Sequence, residues 1–172
     1  MTTMRRLLTS VPSTHRASLM LAAMLLSLHV PAQALVERLD DSTSPRAQIG
    51  ADLRDAQSAD GRELHLSLGR IDYRLDTRRY VGRTARIYLV IPAAVAGLRN
   101  PSGVAFEWRS NSAFASGTGH PGQRVQVWSG VVRDVWTHET LELTLRIVPG
   151  ALRLPERASL RLETYFEIET LP

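Results

Sequence analysis

Residues 141–147 read LELTLRI and residues 160–168 read LRLETYFEI, and in both runs apolar and polar residues alternate. Leu141, Leu143, Leu145 and Ile147 fall on one side, and Glu142, Thr144 and Arg146 on the other. In the second run Leu160, Leu162, Phe166 and Ile168 oppose Arg161, Glu163, Tyr165 and Glu167, with Thr164 interrupting the apolar row. A period of two is what a strand imposes, because successive side chains point to opposite faces of a sheet; a helix would scatter both sets around its circumference. Both runs are therefore predicted as strands with one face on a core and the other in water. The rest of the chain must supply the opposing layer.

Working back from that pair, Leu64, Leu66 and Leu68 alternate with His65 and Ser67, after which the apolar parity flips to Ile71, Tyr73 and Leu75. A one-residue slip at Gly69-Arg70 fits a β-bulge, which glycine accommodates. Residues 85–91 are apolar at nearly every position and predict a central strand ended by Pro92, which cannot donate to a ladder. Asn100-Pro101-Ser102-Gly103 has turn chemistry, and a strand at 104–108 follows with Val104, Phe106 and Trp108 inward. A short strand is expected at 113–115, a flexible glycine-rich hairpin tip at 116–122, a strand at 124–132 and a polar, aromatic loop at 133–140. The connection through 149–157 is too long for a tight hairpin and is expected to cross between sheets. Seven or eight short strands with abundant turn residues predict an all-β fold: an antiparallel β-sandwich with immunoglobulin-like proportions over residues 62–172.

Residues 1–34 read as a cleaved signal peptide. Arg5, Arg6 and Arg16 supply positive charge without a neighbouring acid, an apolar run follows at 17–30, and Pro31-Ala32-Gln33-Ala34 has the small-x-small form cut by signal peptidase, here after Ala34. The 14 residues of that run fall short of the ~20 that span a bilayer, so no membrane span is expected after cleavage. Arg5-Arg6 also suggests the twin-arginine route, although Leu7-Leu8-Thr9 fits that pattern loosely. Residues 35–61, with few large apolar side chains, are expected to form a flexible polar leader; an added edge strand around Ile49 to Leu53 is the alternative. The 172-residue chain carries 21 basic residues, all arginine, against 17 acids. Removing the three signal arginines leaves a balance near +1, which does not favour nucleic-acid binding. No cysteine is present, which excludes disulfides, thiolate metal sites and a cysteine-linked lipid anchor.

Catalytic spacing is weak. Trp128-Ser129-Gly130 lacks the first glycine of a Gly-x-Ser-x-Gly elbow, and the possible sets Ser129, His138, Asp134 and His120, Asp134, His138 match no established triad or metal spacing. No cofactor or metal is expected. Aromatics are more informative: Trp128 shares the parity of Arg124 and Gln126, and Trp136 stands beside Asp134 and His138. Exposed tryptophans among Arg, Gln and Asp suit a sugar or peptide platform, so Trp128, Trp136, Arg124, Gln126 and Asp134 are the candidate ligand-binding residues. The alternative for Trp128 is a bulge near Ser129-Gly130 that turns it inward.

In outline the chain resembles exported bacterial sandwich domains, pilus subunits and envelope-associated modules among them, without a residue-by-residue motif. It departs from the many pilus subunits that carry a disulfide. The expectation is an exported, periplasmic or secreted, non-catalytic module that binds a protein or glycan partner in the cell envelope. The alternatives are a subunit or accessory factor of a surface fibre, with residues 35–61 pairing on a neighbour's sheet edge, and a small secreted hydrolase using His120, Asp134 and His138.

Overall fold

The computed structural model describes residues 34–44, 50–51, 56–58, 61–94, 98–151, 160–161 and 163–172. Residues 1–33 of the signal segment, Ile49, Leu53 and Leu162 lie outside them. The described chain forms β1 (Leu35–Arg38), β2 (Gly50–Ala51), β3 (Leu64–Asp76), β4 (Thr84–Val90), β5 (Val104–Ser110), β6 (Gly117–Gly119), β7 (Arg124–Val131), β8 (Trp136–Ile147), β9 (Leu160–Arg161) and β10 (Tyr165–Thr170), joined in part by 3-10 turns. Two four-stranded sheets result, one ordered β1-β10-β4-β7 and the other β3-β8-β5-β6, with β2 and β9 as a separate pair. Every pairing is antiparallel. Among the described residues, no helix is long and apolar enough to cross a membrane.

The alternation that decided the fold is met in β8 and β10. Leu141, Leu145, Ile147, Phe166 and Ile168 are completely or almost completely buried, and one core takes side chains from both sheets. Phe166 of the first sheet meets the Tyr73 ring of the second edge-on at 4.9 Å. The chain is in the second sheet at β8 and in the first at β10, with β9 of the separate pair between them; most of the connection expected to cross, residues 152–157, lies outside the described residues. In β3 the parity flip is a bulge: register shifts between Ser67 and Gly69, and Gly69 takes φ +80°, a backbone conformation costly for a side chain with a Cβ.

Four expectations are corrected. The run 160–168 is not one strand: β9 pairs with β2, and β10 starts afresh at Tyr165, just after the out-of-pattern Thr164. Residues 113–115 carry no strand; the strand is Gly117–Gly119, inside the stretch expected to be a flexible tip. Its glycines serve close approach, since a Cβ on Gly117 would lie 2.8 Å from the Trp108 ring and one on Gly119 2.7 Å from Ile91. Residues 136–140, expected as loop, are the first five of the twelve in β8, paired with the end of β3.

The fourth correction concerns the polar leader. Leu35 to Arg38 pair with Thr170 to Glu167 as an edge strand, and Leu39 is 2% exposed within the core. From there the chain passes to the other sheet: the Leu39 N–H donates to Phe166 O, the Asp76 N–H to Asp40 O, and the Arg74 N–H to Ser44 Oγ at 2.8 Å. Residues 35–44 thus close one side of the sandwich. Few apolar residues suffice because the segment gains order mainly through main-chain hydrogen bonds to existing strand edges.

Candidate functional site

The five residues proposed from sequence are distributed over both sheets. Arg124 and Gln126 stand on the outer face of the first sheet, opposite Val90 and Tyr88 in register. Arg124 binds Glu167 at 2.7 Å and Glu169 at 3.2 Å, and its guanidinium carbon lies 3.3 Å from the Tyr88 ring centroid. Desolvation works against its charge, but the two carboxylates outweigh it and hold Arg124 above its ordinary pKa. Glu169 is held below the usual glutamate value by a hydrogen bond from Tyr88, aided by Arg124 and Arg86 and opposed by desolvation. These charges compensate one another across β7, β4 and β10, so Arg124 is a brace within the sheet.

Trp128 is turned off that face. Register shifts between Ile87 and Tyr88, whose partners are Trp128 and Gln126, so Val127 is the additional residue and Trp128 lies opposite the inward Ile87. The indole is half-buried against the core and passes over Gly130, where a Cβ would sit 3.1 Å from the ring. The inward alternative therefore holds, through a bulge slightly earlier than expected.

Trp136 forms a different site, at the end of the second sheet. Thr77, fully buried, donates its hydroxyl to Asp134 O at 2.8 Å, and its N–H donates to Val135 O at 3.0 Å. Those two bonds fix the chain entering β8, so that Trp136 begins the strand opposite Asp76. Asp134 itself contributes a backbone carbonyl and carries an exposed side chain.

Around the Trp136 ring stand two arginines absent from the sequence-based set. The Arg74 guanidinium carbon is 4.2 Å from the ring centroid and that of Arg78 is 5.1 Å away. Each contact contributes about 0.5–1 kcal/mol when exposed and more when desolvated. Asp76 fixes Arg78, accepting from its N–H at 3.1 Å and from its Nε at 3.0 Å. Among the described residues no carboxylate pairs with Arg74, and its Nε is buried without an acceptor. A buried donor left unpaired costs about 1–3 kcal/mol, more in a charged group. The sequence did hold a signal, since Arg74 lies between Asp72 and Asp76 at a period of two and thus shares an outward row with them; which row of β8 they would face was not readable locally.

The histidines do not converge. His120 hydrogen-bonds Val104 O through Nδ1 at 2.8 Å, in the connection between β6 and β7. His138 is exposed on β8 opposite Arg74, and Ser129 stands on β7 opposite Arg86. No group of three His, Asp or Glu among the described residues could hold a metal ion.

A residue overlooked in sequence is Glu139. It shares the inward parity of Leu141 and is 3% exposed. Its carboxylate accepts from Ser110 Oγ at 2.6 Å, Ala113 N at 3.1 Å and Phe114 N at 3.0 Å. The chain matches no protein-family model, no curated protein and no solved structure. Fold and geometry therefore carry the functional reading.

Proposed function

We propose that this chain is an exported β-sandwich module, of immunoglobulin-like proportions, that acts by binding in the bacterial cell envelope. The observation that carries the reading is the Arg74–Trp136–Arg78 stack: charged and aromatic groups held on paired strands, with Arg74 lacking a carboxylate partner among the described residues. Recognition surfaces are enriched in such Arg and Trp anchors. The export reading draws support from the strand boundary, since β1 begins at Leu35, immediately after the proposed cleavage position. A cut there leaves both four-stranded sheets complete.

A surface-fibre role is the second reading, and β1 favours it. This is a four-residue edge strand with Leu35 50% and Val36 48% exposed, on an edge where strand addition by a neighbouring chain is feasible.

Expression of the whole chain with a C-terminal tag, followed by osmotic-shock fractionation and mass analysis, tests export. The expected product is periplasmic or secreted and starts at Leu35; full-length protein in the cytoplasm contradicts the proposal. The purified product should also bind isolated cell envelopes saturably, and failure to do so removes the binding role.

A further inference from the structure

We propose that the Arg74–Trp136–Arg78 stack is a site for the carboxylates of an acidic polysaccharide, a chain of uronic acid units. This rests on the reading of the protein as a binding module and specifies the ligand of that site. Arg74 supplies the donor fork, and Arg78 supplies a second positive charge beside it.

The acidic groups beside Arg74 already have partners. Asp72 accepts the Thr140 hydroxyl at 2.6 Å, and Asp76 is bound to Arg78. The two acids flanking Arg74 on its strand are therefore engaged elsewhere, and among the described residues no carboxylate pairs with Arg74; its Nε is buried, so the two terminal nitrogens are the donors that face a ligand. Trp136 restrains the guanidinium, which lowers the entropy lost when a ligand orders it. A guanidinium placed in this way suits a planar carboxylate, which it can engage through two parallel N–H bonds.

An acidic peptide would offer the same carboxylates, but the edge of β3 is closed to it at this level. The Arg74 N–H donates to Ser44 Oγ, the Ser44 hydroxyl donates to Arg74 O at 3.3 Å, and the Asp76 N–H donates to Asp40 O. Peptides that join a sheet use those main-chain groups for affinity. Here the ligand must be recognised by side chains on the outer face. His138, exposed opposite Arg74, continues that face along β8 and offers a partner for sugar hydroxyls. The near-neutral balance of the chain after the signal also argues against a site that collects polyanions by charge alone.

The test titrates the protein as purified from expressing cells with oligogalacturonate at low ionic strength, alongside poly-glutamate and a neutral glucan of similar length. Oligogalacturonate is expected to bind at least about tenfold more tightly than poly-glutamate, and the glucan not at all. Arg74→Gln and Arg78→Gln should each weaken binding by about tenfold, as expected for one charge-assisted contact. Arg74→Lys should also weaken it, since a point charge replaces the fork. Arg86→Gln, on the first sheet and with the same loss of charge, should leave it unchanged. Arg78 is 56% exposed, so its variant decides the matter if Arg74→Gln fails to fold. The proposal is overturned if oligogalacturonate does not bind, if Arg78→Gln binds like the parent, if Arg86→Gln loses as much, or if poly-glutamate binds more tightly. Envelope binding without oligogalacturonate binding would sink this ligand assignment alone and leave the binding role standing.

Discussion

Glu139 shows how one polar side chain can fasten a part of a sandwich that no strand covers. Its carboxylate ties Ser110, Ala113 and Phe114 to the inner side of β8, and Phe114, 4% exposed, packs on Phe166 at 5.7 Å. Glu139→Ala strips three donors of their acceptor in a buried place and should cost roughly 2–4 kcal/mol. Glu139→Gln, which keeps one oxygen, should cost about half as much; denaturant midpoints of the two variants check both figures. Tyr80 makes a prediction on the alkaline side. It is 5% exposed and donates to Glu37; burial, with the Glu37 carboxylate, pushes its pKa up to about 12. An unfolded tyrosine ionises near 10, so between those values the folded state retains a proton that the unfolded chain has released. Stability should hold below about pH 10 and fall as the pH rises through about 12. Burial also raises Tyr73, so Tyr80→Phe should flatten the slope without abolishing it, as chemical denaturation across that pH range can show.

The strands differ in how much of each was written locally. In β8 and β3 the period of two and the slip at Gly69 lie within the element, and a reader of 64–75 or 141–147 has the inner face at once. Strand β1 has four residues, and its order depends on Thr170 to Glu167, more than a hundred positions away; nothing in Leu35-Val36-Glu37-Arg38 reports that partner. Residues 136–140 failed for another reason. Trp136, Thr137, His138 and Glu139 look like a polar loop, and only the pairing with β3, together with the donors waiting for Glu139, makes an inward acid tolerable there. The candidate site was half legible. Trp136 was named from sequence, but Arg74 and Arg78 join it through the register of β3 with β8 and the turn after β3. Two outcomes are expected at this scale. Leu39→Ala should cost about 2–5 kcal/mol, because it empties a fully packed position. Trypsin should leave the bond after Arg38 intact in the native protein, and early cleavage there would show that β1 does not hold its place on β10.

At the scale of the molecule, two four-stranded sheets share one core and are joined along one side by residues 35–44 and along the other by the β5–β6 region, where the Ala115 N–H donates to Val127 O at 2.7 Å. The proposed binding site lies on the outside of that body, so its arginines can change with little effect on the core, whereas β10 is integral to it. Phe166, with no exposed surface, meets Tyr73 and Phe114 from across the core. Glu167, the next residue, points outward to Arg124. The most direct test compares denaturant midpoints of Phe166→Ala and Glu167→Ala. The first should lose about 3–5 kcal/mol, a large part of the stability of a typical domain, and the second less than about 1 kcal/mol, the worth of an exposed ion pair. Equal midpoints for the two variants would contradict the sandwich, because β10 would then lie against the protein without closing its core.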